Sequence, residues 1–191
     1  LYTFTIEFPD ELLQALETGA SVAVNGVCFT VTRIEDRKVS FDAIAETLAL
    51  SNIQFIEAGT QVNIERSAKS GAEVGGHILS GHIVGTSELL SIEESSNNKR
   101  LTFKGNPDWL KFVFEKGFLA VNGCSLTVAA LDRQKHQFAI NLIPETLART
   151  NFALLKAGDP VNIEIESQTQ VIVETVERIM EQRFPKQSPA A

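Results

Sequence analysis

The chain has 191 residues, of which 43% are hydrophobic and 21% charged, with a formal net charge of −7. That length buries one large core or two small ones, in a composition ordinary for a globular protein. Scattered basic residues in an acidic background exclude a nucleic-acid footprint and disfavour an anionic membrane surface, and no apolar run nears the roughly 20 residues that span a bilayer.

Two cysteines, Cys28 and Cys124, and three histidines, His77, His82 and His136, show no metal-ligand spacing and no disulfide framework. A reduced, cytoplasmic, metal-free protein is expected.

In chain order, "PDELLQALETG" (9–19) reads as a short helix between strands, with Asp10 as its capping residue. "SVAVNG" and "VCFTVTRI" alternate as strands around Asn25–Gly26, the strongest short turn signal. "EDRK" turns the chain into "VSFDAIA". The stretch "ETLALSNIQFIEAG" (46–59) carries Leu48, Ile53 and Ile56 at helical spacing, which predicts one helix capped at Gly59. "QVNIER" and "HILSGHIVG" are predicted strands. The second half follows with strands at "FLAVNG", "SLTVAAL", "HQFAINLI" and "PVNIEIE", and a short helix after Pro144. About six short strands per half favour closed barrels, because closure removes exposed edges.

The second half follows the first because the sequence is written twice. "AVNGVCFTV" (23–31) returns as "AVNGCSLTV" (120–128), identical at six of nine places. "ETLALSN" (46–52) returns as "ETLARTN" (145–151), and "EAGTQVNIE" (57–65) as "KAGDPVNIE" (156–164). A period near one hundred residues means a duplicated domain. The expected division is 1–79, 80–168, and a C-terminal helix with its tail over 169–191. The second copy opens with "SGHIVGTSELLSI" (80–92). The first has no such strand before its own "LYTFTIEFPD", so a strand and turn of about twenty residues are expected to precede Leu1.

"TQVIVETVERIMEQRF" places Ile172, Val173, Val176, Ile179, Met180 and Arg183 along one side of a helix. Its stripe either packs on its own barrel or joins a bundle between subunits. The tail over 185–191 is expected to be disordered.

Together, the paired "VNGxxxTV" phrases, paired "ETL" segments, paired "VNIE" strands and the "GGHILSGHIVG" join resemble the riboflavin synthase family over essentially the whole chain. The resemblance implies a mainly β protein: two tandem six-stranded antiparallel Greek-key barrels related by internal duplication, plus a C-terminal α-helix. It implies a transferase that dismutates two molecules of 6,7-dimethyl-8-ribityllumazine to riboflavin and 5-amino-6-(D-ribitylamino)uracil. No metal and no other cofactor are implied. Homotrimers are implied as well, with sites between the first barrel of one subunit and the second barrel of its neighbour. Lumazine synthase is a further expected partner. The family opens on a short strand with a phenylalanine and a glycine, which nothing here matches. The alternative within the same fold is a non-catalytic lumazine- or flavin-binding antenna protein.

Carried over position by position, the resemblance puts the heterocycle against Cys28, Phe29 and Thr30 in the first copy and Ser125, Leu126 and Thr127 in the second. The ring and ribityl chain are covered by Asp42, Ala43, Ile44, Ala45, Glu46 and Thr47, and by Leu142, Ile143, Pro144, Glu145, Thr146 and Leu147. Gly81, His82 and Ile83 in the join, with Lys116, complete the set. Cys28, His82, Ser125 and Thr127 are the expected catalytic residues. His82 is the favoured acid–base group, His77 is expected to order the turn, and His136 to be solvated. The residues alone leave plainer readings open: threonines that favour strands, Cys28 as a small hydrophobe, and Glu46 and Glu145 as helix caps. The change from Cys28 to Ser125 suits two like molecules with unlike parts, through either nucleophilic addition or steric shaping.

Overall fold

A computed structural model of the chain describes residues 1–184, so the tail over 185–191 lies outside the described residues. The first half builds β1 (Tyr2–Glu7), α1 (Asp10–Leu13), β2 (Ser21–Val24), β3 (Val27–Glu35), β4 (Lys38–Ala43), α2 (Ala45–Leu50) and β5 (Ile64–Arg66). The second half builds β6 (Gly85–Glu94), β7 (Lys99–Lys104), α3 (Pro107–Leu110), β8 (Phe118–Val121), β9 (Cys124–Asp132), β10 (Gln137–Leu142), α4 (Pro144–Arg149) and β11 (Pro160–Ile165). The helix α5 (Ser167–Arg183) follows.

The second half closes into a barrel in the order β10-β7-β6-β11-β8-β9. β7 pairs β10 rather than its successor β8, which makes the barrel a Greek key. The first half repeats the order as β1-β4-β3-β2-β5 without a counterpart of β6. Its edges β1 and β5 match β7 and β11, the two strands that β6 joins in the closed barrel.

Alternation decides what each strand buries. On β3, Val27, Phe29 and Val31 enter the first core, while Cys28 and Thr30 face out. That core is aromatic, with Phe4, Phe29 and Phe41 ring to ring. In the second core Phe103 stacks on Phe138, with Trp109 edge-on.

Several sequence expectations are corrected. Asp10 does not cap α1; it pairs with Arg37 at 3.3 Å. The predicted helix 46–59 breaks at Ser51, whose Oγ donates to the Thr47 carbonyl and accepts from the Ile53 amide. A 3-10 turn, Asn52–Phe55, follows, and Gly59 sits in a separate tight turn at φ 93°. Thr150 makes the same break in the second copy through Thr146. "HILSGHIVG" forms no strand before β6, because its amides are taken by side chains rather than by a ladder.

The break at Ser51 turns Asn52 inward, where an amide network joins the two halves. Asn52 donates its backbone N–H to Asn162 Oδ1 at 2.6 Å, and Asn162 Nδ2 donates to Asn52 Oδ1 at 2.9 Å and to the Asn25 carbonyl at 2.8 Å. The mirror image has Asn151 donating its N–H to Asn63 Oδ1 at 2.7 Å, and Asn63 Nδ2 donating to the Asn122 carbonyl at 2.9 Å. Between them the two Asn-Gly turns touch. A Cβ on Gly26, at φ 81°, would stand 2.6 Å from the Gly123 nitrogen.

Helix α5 is capped by the Glu166 side chain, which accepts from the Gln168 and Thr169 amides. Only Val173 packs on the second core, and Lys111 pairs with Glu177 at 2.6 Å. Val171, Ile172, Val176, Ile179, Met180 and Phe184 stay exposed, so its own barrel takes little of the stripe. Among the described residues no helix is long and apolar enough to cross a membrane.

Removing the Asn162 side chain strands the Asn52 amide and the Asn25 carbonyl in a buried interface. At about 1–3 kcal/mol for each orphaned group, Asn162→Ala should lose about 2–6 kcal/mol in urea unfolding. An unchanged midpoint would show that the network carries no stability.

Candidate functional site

The glycine-rich join crosses both copies of the repeated phrase and brings them into one cleft. Gly76, at φ 77°, lies on Ser125, and a Cβ there would sit 2.1 Å from Ser125 Oγ. Gly81, at φ 79°, lies on Cys28, where a Cβ would sit 2.5 Å from the cysteine Cβ. A side chain at either position would push the segment off. The resulting cleft of about 270 Å³ is lined by Cys28, Ser125, His77, Gly81 and Glu65 among others.

Outward faces of the strands supply its floor. Cys28 pairs across Ala23 with Glu65, and Ser125 pairs across Ala120 with Glu164, so each copy lays the same reactive-Ala-Glu row over three strands. Cys28, Thr30 and Thr127 are exposed and Ser125 half-buried. Phe29 points into the core and meets the outer face only through its backbone. Ala43 and Leu142 are likewise buried strand ends. Leu126 packs partly against the second core.

His77 is the best-held polar group. Its N–H donates to Ser125 Oγ at 3.0 Å, and its Nδ1 lies 2.6 Å from the same oxygen. That oxygen also accepts the His77 backbone N–H, and in the tautomer that takes the hydroxyl hydrogen on Nδ1 the ring proton lies on Nε2. Nε2 is buried without a partner, and the ring stacks on Phe118 at 5.3 Å. Burial lowers the His77 pKa, against an opposing pull from Glu166 and Glu164. His82, favoured from sequence, is exposed and has no hydrogen-bond partner among the described residues. His136 sits in the β9–β10 turn at φ 51°.

The helix segments flank the outward faces. Ile44 and Ile143 precede α2 and α4 and are 54% and 59% exposed, matched apolar surfaces beside polar neighbours. Asp42 accepts from Thr3 Oγ1 at 2.5 Å. Glu46 and Thr47 share a cleft of about 140 Å³ with Ile83, which brings the join against α2. Ala45 and Pro144 open the helices, with Thr146 and Leu147 half-buried behind. Glu145 is paired with Arg149 at 2.5 Å. Lys116 is exposed in a left-handed turn at φ 65°, held by its N–H to the Val128 carbonyl.

Two glutamates escaped the sequence reading. Burial, then the neighbouring Glu164, raises the Glu65 carboxyl above its ordinary range. Glu164 itself accepts from the backbone of the join. Their signal was present, since both copies of "VNIE" end on an acid at a strand position. Cys124 is set apart from Cys28: burial, then Glu65, pushes its thiol up to about 12. It is a small hydrophobe, as its alignment with Val27 suggests.

The Lumazine binding domain family matches residues 1–67 and 80–166. The chain is 47% identical to riboflavin synthase of Escherichia coli (strain K12) over 182 residues, 95% of this chain and 84% of that protein. It is 44% identical to riboflavin synthase of Chlamydia pneumoniae over 165 residues, 86% of this chain and 80% of that protein. Among solved structures, LumP complexed with 6,7-dimethyl-8-(1'-D-ribityl) lumazine superposes with a TM-score of 0.77 at 26% identity, covering 86% of this chain and 87% of that one. A duplicated lumazine-binding fold and long alignments at this identity place the chain in the riboflavin synthase family.

Proposed function

We propose that the chain dismutates two molecules of 6,7-dimethyl-8-ribityllumazine, transferring a four-carbon unit to yield riboflavin and 5-amino-6-(D-ribitylamino)uracil. The observation that carries this reading is the doubled outward face, with Cys28 and Thr30 in one copy and Ser125 and Thr127 in the other. Each face is flanked by its own Ile-helix segment. Two copies of one heterocycle need two such faces. Opposing them makes a bimolecular encounter effectively intramolecular, an advantage of up to about 7–11 kcal/mol.

The cleft within one chain falls at the small end of ligand cavities, roughly 300–1,000 Å³, so it does not hold two heterocycles. A complete site therefore draws on a second copy. Helix α5, with its exposed apolar stripe, supports a homotrimer in which the first barrel of one subunit meets the second barrel of the next. A cytoplasmic location and lumazine synthase as a partner belong to the same reading.

His77 and Ser125 supply the proton chemistry. A neutral imidazole that accepts from Ser125 Oγ lets the hydroxyl take a proton from the acidic 7-methyl group while passing its own to Nδ1. Cys28, without such a base beside it, suits addition to the acceptor ring.

The purified chain given the lumazine should build riboflavin absorbance and fluorescence, whereas saturation without consumption would mark an antenna protein. Cys28→Ser should lower kcat about tenfold or more and leave KM within about twofold; equal losses would make Cys28 plain packing. Burial favours neutral His77, so kcat/KM should hold as pH falls through the ordinary histidine value of 6.5 and drop only below it. An acid limb at or above that value would remove His77 from the proton path. Val176→Glu with Met180→Glu should turn the trimer into monomers in light scattering and abolish turnover, and a monomeric parent protein would defeat the assembly.

A further inference from the structure

Glu164 is the only buried charged residue among the described residues, 4% exposed, and none of the chemistry above employs it. A buried carboxylate is costly unless hydrogen bonds replace its water. Here three do. Oε1 accepts from the Ser80 N–H at 2.6 Å and from Ser80 Oγ at 2.8 Å, and Oε2 accepts from the Gly81 N–H at 3.1 Å. All three donors belong to the join, while Glu164 stands on β11 of the second barrel.

The next link leads to the first barrel. The Gly81 carbonyl accepts from the Cys28 N–H at 3.2 Å, and the Gly81 backbone rests against the Cys28 Cβ. A continuous path thus runs from the Glu164 carboxylate through Ser80 and Gly81 to the backbone of Cys28, with His82 and Ile83 just beyond.

The duplication supplies an internal control. Glu65 occupies the matching place in the first copy, across Ala23 from Cys28, yet it is exposed and accepts no hydrogen bond among the described residues. The same residue type at the same strand position is therefore used differently, and the strand alone does not require the contact. The join does.

We propose that Glu164 is a positioning residue for the first-barrel site: its carboxylate clamps Ser80 and Gly81, and so fixes the segment that lies over Cys28. Each face then depends on the other barrel, since Ser125 is covered through His77 and Cys28 through Gly81. This rests on reading Cys28 as a site residue.

The test alkylates the full chain with iodoacetamide in native buffer without ligand, follows modification of Cys28 by peptide mass, and measures steady-state turnover in parallel. Cys124, half-buried with burial and Glu65 pushing its thiol up to about 12, serves as the unreactive control. Ser80→Ala removes one donor, and Glu164→Gln sets an amide nitrogen against the Gly81 N–H. Cys28 is exposed and Gly81 shields only one side of it, so each variant should speed its alkylation about threefold, the equivalent of one ordinary net hydrogen bond. Turnover should fall through KM as well as kcat. A merely structural glutamate would lower the melting temperature and leave alkylation of the folded protein within about twofold of the parent. That result would overturn the proposal. If Glu164→Gln does not fold, Ser80→Ala decides alone. Faster alkylation in a protein whose parent consumes no lumazine would keep the clamp and remove the proposed reaction.

Discussion

Six asparagines hold the two halves in one relation, and the geometry of the site depends on them. Asn25, Asn52 and Asn63 meet Asn122, Asn151 and Asn162 across a pseudo-twofold axis, each set completing the hydrogen bonds of the other. An amide offers donors and an acceptor in a fixed plane, so it satisfies backbone groups on a neighbouring strand without introducing charge. An apolar interface of the same area would tolerate sliding. A satisfied polar one has a single register. Because Gly26 and Gly123 touch backbone to backbone, Cys28 and Ser125 follow directly from that register.

The first-half sheet and the second-half barrel are built by alternation, which leaves one strand face outside each core. Every side chain that the cores take from β3 and β9 forces its neighbours outward. Cys28, Thr30, Ser125 and Thr127 thus need no special device to face away from the cores. What needs a device is the cover over them, and here the chain uses an irregular glycine segment in place of a strand. A strand would spend its amides on a ladder, whereas the join offers them to Glu164 and draws His77 onto Ser125. Glycine at 76 and 81 is required by closeness as much as by dihedral angle.

Much of this was legible in the sequence. The duplication, the Asn-Gly turns, the outward pairs and the C-terminal stripe all follow from local pattern. The breaks at Ser51 and Thr150 were not legible, because apolar spacing predicts a continuous helix and says nothing about a hydroxyl bonding back to the previous turn. The asparagines were visible as repeats but were read only as parts of local turns, strands and, for Asn52, a helix. Their role depends on partners up to 137 positions away, which no local window contains. The contrast between the two histidines was hidden for a related reason. His77 and His82 stand five residues apart in a segment without regular structure, so periodicity gives no rule for which one turns inward.

Duplication hands the protein two equal faces, but a dismutation needs unequal ones. The inequality lies less in the strands than in what reaches them. Ser125 receives a half-buried histidine that is already hydrogen-bonded and whose pKa burial lowers. Cys28 receives only a glycine backbone. One asymmetric linker laid across a symmetric pair is enough to give one side an imidazole and the other a glycine backbone. The linker can do this because it passes between the barrels once, so the two copies cannot meet it in the same way. Symmetry supplies the outward face twice, and a single unrepeated segment makes the two copies unequal.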